Sequence, residues 1–272
     1  TLKYRPEVDG LRALAIIPVV LFHLGLPWIG GGFVGVDVFF VISGYLISLI
    51  ILREHAQGNF SFRAFWVRRA RRILPALCSM VLASMVAGFI ILYGFDWKAL
   101  GEQALSVFGL FANVKMWKLA SDYWAPGAHD TPLLHAWSLA LEEQFYLVYP
   151  LLLAAILKFA RKHAFKLILT ITIVSFILGL IATHRNPSGA FYLLPYRAWE
   201  LAAGCLLAIA SQSRPAGFSG VRQAPALSAL GALIIMFSCF WISEERGFPG
   251  WQALFPVIGA ILIIAFAAKT HL

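Results

Sequence analysis

The chain has 272 residues, of which 60% are hydrophobic and only 13% charged, and its mean hydropathy is +0.79. That balance is too apolar for one soluble core of this size and excludes a water-soluble globular enzyme. The formal net charge of +9 raises nucleic acid as a partner, but the basic residues sit in short blocks between apolar runs, so they read as a topology signal and nucleic acid is set aside.

The apolar runs are rich in Leu, Ala and Ile, and each is near the roughly 20 residues that a bilayer requires, which predicts helices and not a barrel of alternating strands. The expected fold is all-α: a polytopic transmembrane helix bundle forming one domain over 1–272. Its eight spans fall at about 11–30, 33–52, 73–93, 139–157, 166–183, 190–210, 226–242 and 250–268. With the N-terminus in the cytoplasm, most Lys and Arg fall in inside segments, notably Arg53, Arg63, Arg68, Arg69, Arg71 and Arg72. The positive-inside rule then places both termini of this chain in the cytoplasm.

The first span, LRALAIIPVVLFHLGLPWIG, carries Arg12 and His23. Eleven helical steps end roughly 20° from the starting face and roughly 16 Å along the axis, so both groups look the same way at two depths. Ionisable groups at such depths cost on the order of 2 to 3 kcal/mol each and face a partner or an aqueous cavity. His23 is the candidate general base and Arg12 a candidate phosphate ligand; the bland alternative is a hydrogen bond within the bundle. The start of this span resembles a signal peptide but lacks a small-residue cleavage site, so it is read as retained.

The second span contains GVDVFFVISGYLIS, with Asp37, Ser43, Tyr45 and Ser48. Asp37 either orients His23 or pairs with an arginine, because an unpaired carboxylate there is costly. Gly35 and Gly44 allow close helix approach. The basic run at Arg68, Arg69, Arg71 and Arg72 follows, read as a topology and lipid signal or, beside Arg12, as a cytoplasmic rim for a phosphorylated cofactor. Pro75 fits the first turn of the third span.

An external stretch over 93–136 is too long for a simple connection. Its run 104–116 is too short to cross and predicts a re-entrant or surface helix, followed by the turn-rich SDYWAPGAHDTP. Then comes PLLHAWSLALEEQFYLVYP, where His135 and Trp137 precede Glu142 and Glu143, Ser138 is a plausible N-cap, and Tyr146 and Tyr149 follow at helical spacing. In LPYRAWELAAG, Arg197 and Glu200 stand three residues apart, as a structural ion pair or a second-tier site. Cys78, Cys205 and Cys239 have no paired spacing and read as packing, and no metal-ligand spacing is present.

Taken in order, Arg12 with His23, GVDVFFVISGYL from Gly35, RRARRILPA from Arg68, PLLHAWSLALEEQFYLVYP from Pro132 and YRAWELAAG from Tyr196 resemble the acyltransferase-3 family of bacterial integral membrane O-acyltransferases. The resemblance implies a multi-pass protein of the bacterial cytoplasmic membrane. It would move an acyl group, most often acetyl, from cytoplasmic acyl-CoA to a hydroxyl of an extracytoplasmic glycan. It assigns catalysis to His23, Arg12, Asp37, Glu142 and Glu143, CoA phosphates to Arg12, Arg68, Arg69 and Arg72, the acceptor side to Glu142, Glu143, His135 and Trp137, and substrate binding to His135, Trp137, Ser43, Tyr146 and Arg197. Family domains have about ten spans, so the chain is expected to be incomplete at its C-terminus. A transporter of acyl groups or small anions is the rival from another class, weakened by the lack of an internal repeat. A non-catalytic scaffold leaves the matched Arg12 and His23 unexplained.

Overall fold

A computed structural model describes residues 5–121, 131–212, 223–243 and 247–267, apart from the Phe95 side chain. Eleven α-helices and no strand are found among the described residues. They are α1 (Pro6–His23), α2 (Gly35–Ala56), α3 (Phe62–Ile91), α4 (Gly94–Phe108), α5 (Ala112–Ser121), α6 (Ala136–Phe159), α7 (Ala164–Arg185), α8 (Pro187–Tyr192), α9 (Leu194–Gln212), α10 (Ala224–Trp241) and α11 (Leu254–Phe266). Among the described residues, six segments are long and apolar enough to cross a membrane: Gly32–Ala56, Phe62–Ile91, Ala136–Phe159, Arg161–Arg185, Pro187–Gln212 and Ala224–Trp241. The other two expected spans fall short for different reasons. α1 carries Glu7, Asp9 and Arg12 within its 18 residues, and α11 is only 13 residues long.

Several expected boundaries move. The first span stops at His23, because Gly25 takes a left-handed φ of 73° and its N–H turns back to the Phe22 carbonyl. α3 begins eleven residues before the expected 73, with the Ser61 hydroxyl accepting from the Ala64 N–H at 3.4 Å. Arginine is a strong helix former, so the basic run continues the helix where it was expected to be a loop. Pro75 therefore lies inside α3 and not in its first turn. Ser138 is likewise not a cap: it lies in the first turn of α6 and donates to the His135 carbonyl. The run 104–116 straddles two helices, α4 and α5, with Leu110 between them at φ 60°. Residues 122–130 of the turn-rich stretch lie outside the described residues.

The chain divides into two compact units, each discontinuous in sequence. The first comprises Thr1–Arg53, Ala155–Phe191 and Pro195–Leu272. Its centre is α2, apolar all round, with 67% of its best membrane window buried against 22% for the segment containing α7. α2 and α9 run in parallel with their backbones in contact: a Cβ on Gly44 would collide with the Leu201 carbonyl, and one on Gly204 with the Val41 carbonyl.

The second unit comprises Glu54–Ala154 and Tyr192–Leu194. α3 and α6 are antiparallel, as the contacts of Trp66 with Tyr146, Arg69 with Glu143 and Met80 with His135 require. α4 folds back along the far half of α3, where Trp97 packs on Phe89 and donates to the Met85 carbonyl. Leu77, Val81, Leu100, Ala104, Val107, Leu133, Ala136 and Ala140 close the core between these helices.

Candidate functional site

Two clusters of charged side chains, a partly buried one in the second unit and a fully buried one in the first, stand out from the apolar packing. In the second unit, Arg69 of α3 meets the acidic face of α6. Its Nε lies 2.7 Å from Glu143 Oε1, its Nη2 3.7 Å from Glu142 Oε2, and its guanidinium carbon 3.4 Å from the centre of the Tyr146 ring. The Trp66 indole, one turn earlier, donates to the Tyr146 carbonyl at 3.1 Å. The three charged side chains are 16 to 20% exposed, so the pair is partly desolvated yet reachable. One guanidinium between two carboxylates leaves a net negative charge that a protonated acceptor or an electrophile can meet.

This arrangement corrects the sequence-based division of the residues between two membrane faces. Arg69 was expected on a cytoplasmic rim and Glu142 and Glu143 on the acceptor side, but the structure joins them. Arg69 lies seven residues into α3 and Glu143 seven residues into α6, about 10 Å from the start of each helix. α6 begins beside Met80, well along α3, and runs back antiparallel to it, so the two residues meet. The rim itself is divided: the Arg68 Nη2 donates to both oxygens of Glu54, at 2.7 and 3.0 Å, while Arg71 and Arg72 are exposed.

In the first unit, Arg197 of α9 binds two carboxylates at once. Its Nη2 donates to Asp37 Oδ1 at 2.9 Å and to Glu200 Oε2 at 3.0 Å, and its Nε lies 2.7 Å from Glu200 Oε1. All three side chains are 0 to 1% exposed, and the rings of Phe40, Phe191 and Phe248 surround the guanidinium at 5.5 to 5.6 Å. The expected Arg197–Glu200 pair is present. Of the two roles open to Asp37, the structure gives it the arginine and not His23.

His23 is exposed and oriented by its own helix: its Nδ1 lies 2.8 Å from the Val19 carbonyl. A carbonyl only accepts, so a neutral His23 carries its proton on Nδ1 and presents the Nε2 lone pair outward, the form a base requires. Arg12 is partly exposed and tied to Asp9, one turn back, at 2.8 Å. The continuous helix keeps Arg12 and His23 in phase as the spacing predicts. Ser43 is half-buried in α2. His135 Nε2 lies 2.9 Å from the Met80 sulfur, and the buried Trp137 meets Tyr192 edge-on at 5.3 Å. Among the described residues no group of His, Cys, Asp and Glu converges as a metal site.

Sequence reasoning missed Asn113 and Tyr192, which the fold brings to Gln144 and Trp137. It also missed Arg5, whose guanidinium reaches the Tyr45 hydroxyl and, at 3.1 Å, the Ile264 carbonyl in the last turn of α11. The only signal for Asn113 was an amide inside an apolar run.

A family model described as an acyltransferase domain matches residues 5–271. The chain is 34% identical over 277 residues to the peptidoglycan O-acetyltransferase OatA of Listeria monocytogenes, covering 96% of this chain and 44% of the relative. It is 37% identical over 217 residues to the O-acetyltransferase OatA of Staphylococcus aureus, covering 76% of this chain and 34% of the relative. The chain thus spans less than half the length of these relatives. No solved structure matches.

Proposed function

The chain belongs to this acyltransferase family, and on that premise we propose that it transfers an acyl group, acetyl in the first instance, to a hydroxyl of a cell-envelope glycan, peptidoglycan being the first candidate. The donor in this reading is acyl-CoA on the cytoplasmic side, the membrane is the bacterial inner membrane, and the N-terminus is cytoplasmic. The observation that carries the reading is the similarity to peptidoglycan O-acetyltransferases over 96% of the chain. It favours an enzyme over the transporter.

The residues fit that chemistry. His23 Nε2 takes the proton of the acceptor hydroxyl as its oxygen attacks the thioester carbonyl. The C–S bond then breaks and the CoA thiolate leaves, recovering the proton. In the relay form His23 Nε2 first takes the acyl group as the C–S bond breaks and the CoA thiolate leaves; the hydroxyl then attacks, the N–acyl bond breaks, and the freed Nε2 takes the hydroxyl proton. Arg72, with Arg68 once it leaves Glu54, holds the donor phosphates, and Arg12 is a separate phosphate ligand of its own unit. Arg69 instead orients Glu142 and Glu143, whose carboxylates bind acceptor hydroxyls beside the ring of Tyr146. Arg197 and Asp37 act from a distance by fixing α2 on α9.

Labelled acetyl-CoA supplied to membranes containing the wild-type or the His23→Ala chain tests this. Label in the glycan fraction is expected only with the wild type, and equal labelling from both overturns the assignment of His23.

A further inference from the structure

Gln144 follows Glu143 in α6 and points about 100° away from it around the helix. There it enters a closed pair with Asn113 of α5, which is 1% exposed. The Gln144 Nε2 donates to Asn113 Oδ1 at 2.8 Å and to the Leu110 carbonyl at 2.8 Å. The Asn113 Nδ2 returns a bond to Gln144 Oε1 at 3.3 Å and donates to the Tyr192 carbonyl at 3.1 Å. Every N–H of both amides is used and both amide oxygens accept, so the network is complete.

Its partners are informative. Leu110 is the left-handed residue at the tip of the α4–α5 hairpin, and Tyr192 is the last residue of α8, where a helix leaves its carbonyls open. Gln144 lies eight residues into α6, about 12 Å from its start. The hairpin therefore re-enters to the level of Arg69 and Glu143, the next residue along. One face of α6, with Ala136, Ala140 and Gln144 at four-residue spacing, meets the hairpin. The adjacent face, with Glu142, Glu143 and Tyr146, meets α3. A slip of one residue in α6 would carry Glu143 off Arg69.

We propose that Asn113 and Gln144 are positioning residues for the transfer reaction: their amide pair locks the rotation of α6 against the hairpin tip and so aims Glu142 and Glu143 at Arg69. The inference rests on the acyltransferase reading above. Apolar side chains alone would tolerate small rotations of a helix; six directed polar groups do not.

The test uses the full chain, with initial rates of acetyl transfer from acetyl-CoA to isolated glycan strands measured per folded molecule. N113D and Q144E keep the side-chain shape but remove donors. Each is expected to lower kcat by about 100-fold, the scale of an ångström of misplacement, with the KM for acetyl-CoA within about twofold of wild type. The swap N113Q/Q144N keeps the summed length of the pair and is expected to recover most of the loss. Unchanged kcat, or a swap no better than the single variants, overturns the proposal. A second measurement does not depend on activity. In a C78S background, R69C/E143C is treated with a short thiol cross-linker, and efficient linkage is expected with Asn113 intact and its loss with N113D. Equal linkage in both overturns the lock. If the wild type transfers nothing from acetyl-CoA, the acyltransferase reading fails, and the cross-linking result still decides the rotation.

Discussion

Removing the guanidinium of Arg197 should be among the most damaging single changes in the protein, and removing one carboxylate beside it should not. Arg197, Asp37 and Glu200 are all at most 1% exposed, so none can recover water when a partner is lost. Arg197→Leu leaves two buried carboxylates with no cation, and breaking a buried ion pair in this way costs about 3–5 kcal/mol. Asp37→Asn leaves Arg197 and Glu200 still paired with no net charge, at a cost near that of one weakened hydrogen bond, about 1 kcal/mol. The double change D37N/E200Q strands the guanidinium and should return to about 3–5 kcal/mol. At about 2–4 °C per kcal/mol for a chain of this length, the damaging variants should melt on the order of 10 °C lower and D37N only a few degrees lower. Thermal unfolding of the detergent-solubilised protein reads these shifts directly. The charge count is refuted if D37N/E200Q melts with D37N, or if Arg197→Leu costs no more than D37N.

The two Arg–Glu pairs of α3 should differ in a double-mutant cycle on stability. The half-buried Arg69–Glu143 pair should show a coupling of about 1–3 kcal/mol and the more exposed Arg68–Glu54 pair less than about 1 kcal/mol, and comparable couplings would contradict the burial argument. Gly44→Ala should lower stability by about 1–3 kcal/mol, since its methyl collides with the Leu201 carbonyl; a melting temperature equal to wild type would show that α2 and α9 separate freely. Ser61→Ala should cost about 1 kcal/mol through the lost cap of α3, and the same unfolding assay would detect its absence.

What could be read from the sequence was whatever repeats within one helix. The phase of Arg12 and His23 and the pairing of Arg197 with Glu200 follow from 3.6-residue periodicity, and both appear in the structure. Contacts between distant segments were not legible in the same way. Asp37 and Arg197 are 160 residues apart, and only the parallel crossing of α2 and α9 at Gly44 and Gly204 brings them together. The misplacement of Arg69 has a more specific cause. The positive-inside rule assigns a residue to the membrane face at the end of its helix, yet a side chain two turns in has already left that face. Arg69 has done so from one end and Glu143 from the other, and the same inward step brings the hairpin tip to Gln144. The residues that topology rules place least well are therefore polar side chains set roughly 10 Å within their helices, where partners come from other helices and each buried charge must find one.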